Sequence, residues 1–163
     1  MPAPKRHTPL TETEAWNKVT AFCAYRERSR KEVVEKLYAY GLHKDTIEKL
    51  LKRLESEKYL QEERFAQSFV GGKFRLKNWG KRRIELELKA RGIQEKDISN
   101  ALGEIQEKDY LSTLKKLFEK KEKELLLKEP DQWKRRQKIA AFLIRKGYEH
   151  EKVFKIVGVD HED

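Results

Sequence analysis

Residues 80–93 read GKRRIELELKARGI: a glycine ahead of three cations, Ile84 and Leu88 four residues apart, then Gly92 and Ile93. Apolar side chains at that spacing share one face of a helix. A glycine followed by an apolar residue is how a helix stops in a left-handed turn and the chain packs back on it. The segment is therefore a helix with a basic start, one buried stripe and a glycine stop. Upstream, RERSRKEVVEKLYAYGL (26–42) repeats the plan, and downstream WKRRQKIAAFLIRKGY (133–148) repeats it again. Aligning the stops Gly41, Gly92 and Gly147 brings Val33, Ile84 and Ile139 together, then Leu37, Leu88 and Leu143, then Ile47, Ile98 and Val153. Helical periodicity alone would align apolar positions of any two amphipathic helices, so the shared glycines carry the inference. They predict an all-α protein of three tandem three-helix repeats forming an elongated, curved array.

Around these three helices the pattern predicts six more. In the first unit, Thr11 with Glu14 and Ser29 with Glu32 have the spacing of helix N-caps. Trp16, Val19, Phe22 and Cys23 then form one stripe, and Ile47, Leu50, Leu51 and Leu54 another. The second unit brings Phe65, Ala66, Phe69 and Val70 before the quoted helix and Ile98, Ala101, Leu102 and Ile105 after it. The third opens with a long charged helix carrying Leu111, Leu114, Phe118 and Leu125 and closes with Val153, Ile156 and Val157. The expected division is a disordered N-terminal arm at 1–12, repeats at 13–60, 61–107 and 108–159, and a tail at 160–163. The arm holds Pro2, Pro4 and Pro9.

The 163 residues suffice for one core or a few small units that cover one another. Charged residues make up 40% and apolar ones 37%, a polar balance, yet three Trp, seven Phe and six Tyr argue against disorder. The net charge of +10 is spread as +1 over 1–12, +3 over 13–60, +2 over 61–107 and +4 over 108–163, so the whole array is basic. Such a surface points to an anionic partner. A lone cysteine, no signal-like leader and no long apolar run read as a cytoplasmic protein with no membrane partner.

Catalysis finds no support. His7, His43, His150 and His161 are scattered, and there is no phosphate-cradling loop, nucleophile elbow or metal motif, so no cofactor is expected. Cys23, on the stripe with Trp16 and Phe22, reads as a small core residue. Gly71-Gly72, inside a helix, reads as a close helix contact or a bend. The charged stretch from Lys115 to Glu129 reads as a solvent-facing helix with internal ion pairs, with a short coiled-coil seam as the alternative.

The basic clusters carry the functional signal. Arg28, Arg30 and Lys31; Lys81, Arg82 and Arg83; and Lys134, Arg135, Arg136 and Lys138 all fall at the start of the second helix of a unit. Cations there oppose the helix dipole by a few tenths of a kcal/mol each, about 0.3 or more at exposed sites. One cluster alone reads as solvated surface. Three in equivalent places read as phosphate or carboxylate sites in which free backbone N–H groups help. Lys73, Arg75 and Lys77, interleaved with Phe74 and Trp79, fit a nucleic-acid backbone with stacked bases, or else the two rings are core.

Three stretches together resemble the bacterial RecX family of RecA regulators: RERSRKEVVEKL (26–37), YLQEERFAQSFV (59–70) and GKRRIELELKARGI (80–93), with a looser echo at 133–148. The matching positions are Arg26, Ser29 and Glu32; Arg64 and Phe65; and Gly80, Arg83 and Ile84. Val33 and Glu62 depart mildly from the family's usual Leu and Asp. The resemblance implies three tandem three-helix repeats that lie in the groove of the RecA filament on single-stranded DNA and restrain the recombinase. A curved array without a self-complementary seam reads as a monomer, and weak binding to duplex DNA is a further expectation. Two other readings stay open: a helix-turn-helix-like duplex DNA regulator and a helical protein-protein adaptor.

Overall fold

The computed structural model describes residues 8–158, among which there are nine α-helices and no strand. They are α1 (Glu12–Tyr25), α2 (Arg30–Ala39), α3 (Lys44–Ser56), α4 (Glu62–Lys77), α5 (Lys81–Ala90), α6 (Glu95–Gly103), α7 (Glu107–Leu126), α8 (Gln132–Lys146) and α9 (His150–Val157). The all-α reading holds, and so does the grouping in threes, because α1 to α3, α4 to α6 and α7 to α9 each pack among themselves.

Local sequence explains several helix ends. Thr11 forms a full capping box: the Glu14 N–H donates to Thr11 Oγ1 at 3.2 Å and the Thr11 N–H to Glu14 Oε1 at 3.4 Å. Ser29 and Asp131 accept from the N–H groups of Glu32 and Lys134. The three stop glycines have φ of +83°, +77° and +109°, as their alignment predicts. Residues 1–7 and 159–163, which contain most of the expected arm and the whole tail, lie outside the described residues. Within the arm's remaining part, the Leu10 N–H donates to Tyr40 O at 3.0 Å, and Leu10 packs on the first unit.

The apolar stripes bury as two cores. Ala15, Val19, Cys23, Val33, Leu37, Ile47, Leu50, Leu51, Leu54 and Leu60 fill the first unit. A second, larger core runs without a break from Phe65 to Val157, through both remaining units.

Units two and three meet backbone to backbone. A Cβ built on Gly80 would lie 2.2 Å from the Gly147 carbonyl carbon. Around this contact Gly80 N–H donates to Lys146 O and Arg82 N–H to Gly147 O, both at 2.9 Å. Lys81 N–H donates to the Tyr110 hydroxyl at 3.0 Å, and Tyr148 donates to Asn78 O at 2.9 Å. The carbonyl end of α8 thus abuts the N–H end of α5, so the two dipoles run head to tail.

Two sequence expectations change in detail. Gly71 is buried not against another helix but under Arg75 of its own helix, whose Nη2 lies 2.4 Å from where a Cβ would stand. The long helix α7 packs on α8 and α9, with Leu114 in the shared core and Leu111 exposed. Its apolar positions therefore serve an internal face, while its outer face carries the expected ion pairing, Lys121 to Glu124 at 3.4 Å.

Candidate partner interface

The thirteen cations singled out by the sequence divide by what holds them. Arg28 is a correction: it is only 8% exposed, so it is not a surface contact. Its guanidinium lies 3.6 Å over the Phe22 ring, its Nε donates to Phe22 O at 3.0 Å, and Glu32 is 3.7 Å away. A buried cation survives only when stacked, hydrogen-bonded and charge-matched in this way. We expect Arg28→Ala to lower stability by about 1–3 kcal/mol, measured by urea denaturation, because the Phe22 carbonyl loses its donor and Glu32 an ion-pair partner. Beside it, Arg30 pairs with Glu55 at 3.2 Å, and Lys31 stands exposed.

In the third unit, Arg135 donates to the carbonyls of Glu129 and Pro130, Arg136 reaches Gly158 O at 3.5 Å, and Lys138 pairs with Glu129 at 3.0 Å. These three tie down the turn before α8 and the end of α9. Lys134 points to solvent. On α4, Arg75 and Lys77 occupy the last turn, where cations complement the helix dipole. Lys73 lies 4.8 Å from the Trp79 ring and 5.4 Å from Phe69. Phe74 belongs to the core, 5.9 Å from Tyr110, so it does not stack on a base.

Part of the backbone donor capacity expected at these helix starts is already used within the protein. Ser29 and Asp131 already cap α2 and α8. At α5 the N–H groups of Gly80, Lys81 and Arg82 are all taken by Lys146 O, the Tyr110 hydroxyl and Gly147 O. Three of the amides at that start are therefore already bonded within the protein. The same packing explains why Lys81, Arg82 and Arg83 are tolerated, since they sit beside the negative end of α8. Tyr110, which accepts from Lys81 N–H, donates to Glu149 at 2.9 Å, and burial pushes its hydroxyl far above the usual tyrosine range. Burial likewise pushes the Cys23 thiol up, in keeping with a core residue.

Unpaired side-chain charge is concentrated in one place. Arg82, Arg83 and Arg145 converge on a cleft of about 290 Å³ between α5 and α8, with Leu86 on its rim, 68% exposed, and His150 at its edge. Arg83 is held by stacking on Trp79 at 3.9 Å. None of the three guanidiniums has a carboxylate within ion-pair distance among the described residues. Sequence reasoning missed Arg145 because it ends α8 instead of starting it. The head-to-tail contact of Gly147 on Gly80 brings it next to Arg82 and Arg83, and nothing in the repeat register marks that.

Three packed three-helix units in tandem define a helical-repeat protein. Family models for the first, second and third three-helix domains of RecX match residues 15–54, 62–102 and 107–157. The chain belongs to the RecX family. It is 33% identical over 124 residues to the regulatory protein RecX of Clostridium perfringens, covering 76% of this chain and 58% of that one. It is 36% identical over 124 residues to that of Chlorobium phaeobacteroides, covering 76% and 78%. The crystal structure of RecX from Lactobacillus salivarius superposes with a TM-score of 0.80 at 23% identity, covering 90% of this chain and 94% of that one. The chain spans 58% of the length of the clostridial relative and 54% of that from Geobacillus thermodenitrificans.

Proposed function

We propose that this chain regulates the RecA recombinase without catalysis of its own: as a monomer in the cytoplasm, it lies in the groove of the RecA filament on single-stranded DNA and limits the filament's growth or activity in DNA repair and recombination. On this reading the working units are residues 13–60, 61–107 and 108–159. The observation that carries it is the cleft of Arg82, Arg83 and Arg145, three guanidiniums without acidic partners beside an exposed leucine. Such a surface suits a partner offering phosphates or carboxylates next to apolar surface, and a nucleoprotein groove offers both. Membership in a family of regulatory proteins supports the same direction.

The duplex-binding alternative is less well supported. A recognition helix presents its N-terminal residues to the major groove, whereas the start of α5 is packed against Gly147 and Tyr110. The test is ATP hydrolysis by RecA on single-stranded DNA at stoichiometric amounts of this protein. Wild type is expected to slow hydrolysis, and Arg82→Glu/Arg83→Glu to need about tenfold more protein for the same effect, since reversing charge at a contact costs about 1.4 kcal/mol or more. No inhibition by wild type would overturn the proposal. Full inhibition by the variant, with its helical signal intact, would move the contact away from the cleft.

A further inference from the structure

The two joints between units are built from different materials. Between units two and three the apolar core is continuous, and Gly80 meets Gly147 at a separation that leaves no room for a methyl group. Between units one and two the cores are separate: Leu60 is the last buried residue of the first, and Phe65 begins the second. Charged groups span that gap. Arg64 of α4 pairs with Glu27 at 2.5 Å, and Arg91, after α5, lies 3.7 Å from Glu32. Glu62, at the first turn of α4, faces the Arg30 cation at the start of α2. Arg64 also holds the connecting strand of chain, donating to Gln61 Oε1 and to the carbonyls of Lys58 and Tyr59.

This polar joint is incompletely satisfied. Arg91 Nε is buried with no hydrogen-bond partner, and Glu32 is shared among Arg26, Arg28 and Arg91. Closing the joint leaves a donor unmet, and opening it returns that donor to water. Partly exposed ion pairs hold weakly and without the cooperativity of a packed core.

We propose that the first unit, residues 13–60, pivots as a rigid body on the Arg64–Glu27 and Arg91–Glu32 joint, while units two and three move as one. The pivot lies between Leu60, anchored in the first core, and Phe65, anchored in the second. It sets the distance between the basic groups of α2, Arg30 and Lys31, and the arginine cleft between α5 and α8. The first unit therefore adjusts its reach to a partner that the other two have already engaged. This proposal is independent of which partner that is.

The test measures spin-label distances in the full chain, in a Cys23→Ala background. One pair, Lys18→Cys with Lys96→Cys, reads across the first joint; the other, Lys96→Cys with Lys155→Cys, reads across the second. All three positions are exposed. The Lys18–Lys96 distribution is expected to shift and broaden in Arg64→Ala/Arg91→Ala, and in the same sense when wild type is taken from 0.1 M to 1 M salt, where the screening length falls from about 10 Å to about 3 Å. The Lys96–Lys155 distribution is expected to stay fixed. The exchange Glu27→Arg/Arg64→Glu is expected to give a narrower distribution than Arg64→Glu alone. An unchanged Lys18–Lys96 distribution in the folded alanine variant would overturn the proposal, and so would equal broadening of both pairs. Should the alanine variant lose its helical signal, the salt comparison on wild type decides by the same two outcomes.

Discussion

Gly80→Ala is expected to destabilise units two and three by about 3 kcal/mol, although a methyl group is the smallest side chain that can be added. The backbone at Gly80 has φ −74° and ψ 162°, which alanine adopts without strain. The loss comes chiefly from contact: the new Cβ would stand 2.2 Å from Gly147 C and 2.3 Å from Gly147 O and Tyr148 N. Those atoms are backbone and cannot swing aside. Relief requires the start of α5 to move off the end of α8, which breaks the bonds from Gly80 to Lys146 O and from Arg82 to Gly147 O. Gly92→Ala provides the control. It has φ +77° and nothing within 4 Å of its added Cβ, so it is expected to cost only the left-handed penalty of about 1–2 kcal/mol. Urea denaturation followed by circular dichroism reads both. If Gly80→Ala fell within about 0.5 kcal/mol of wild type, the range of ordinary surface changes, the two units would not be joined as described.

That pair of glycines marks how far the sequence could be read. Gly92 was legible because a positive φ leaves a local signature: an apolar stripe, a stop, then Ile93 folding back. The nine helices among the described residues were legible for the same reason, since caps and periodicity act within a few residues of themselves. Gly80 looked only like a helix start, because the atoms that require it belong to a turn one unit further on. Arg28 and Arg145 fail the same way, in opposite directions. Arg28 resembles its neighbours Arg30 and Lys31 in sequence, yet Phe22 and Glu32 close over it. Arg145 sits at the wrong end of its helix for the repeat and still reaches the cleft. The charge of the candidate surface could be read from composition, whereas its location depends on head-to-tail packing of α8 on α5. That packing also removes the apparent conflict between cations and the α5 dipole.

The same junction makes the protein alkali-sensitive. Tyr110 and Tyr148 are fully buried with rings 5.1 Å apart. Burial is the main cause that pushes both hydroxyls above the ordinary tyrosine range, with the Glu149 carboxylate adding to it at each. At Tyr110 the Lys81 N–H acts the other way without cancelling the rise. Unfolded tyrosine loses its proton near pH 10, at about its model value. Above that pH only the unfolded state gives up these protons, so it binds fewer of them than the folded state and is favoured as pH rises. Stability contributed by the two groups is therefore whole below about pH 10 and falls above it, by up to about 1.4 kcal/mol per pH unit for each tyrosine. Urea denaturation at intervals from about pH 9 to about pH 11.5 is expected to show that slope, with tyrosinate absorbance from these two rings arriving only as the chain unfolds. Tyr110→Phe/Tyr148→Phe should begin lower at neutral pH, by about 1–3 kcal/mol for each hydroxyl removed, because Lys81 N–H loses its acceptor and Glu149 and Asn78 O lose their donors. It should then decline more gently with pH than wild type. Equal slopes in the two proteins would mean that alkaline unfolding starts elsewhere.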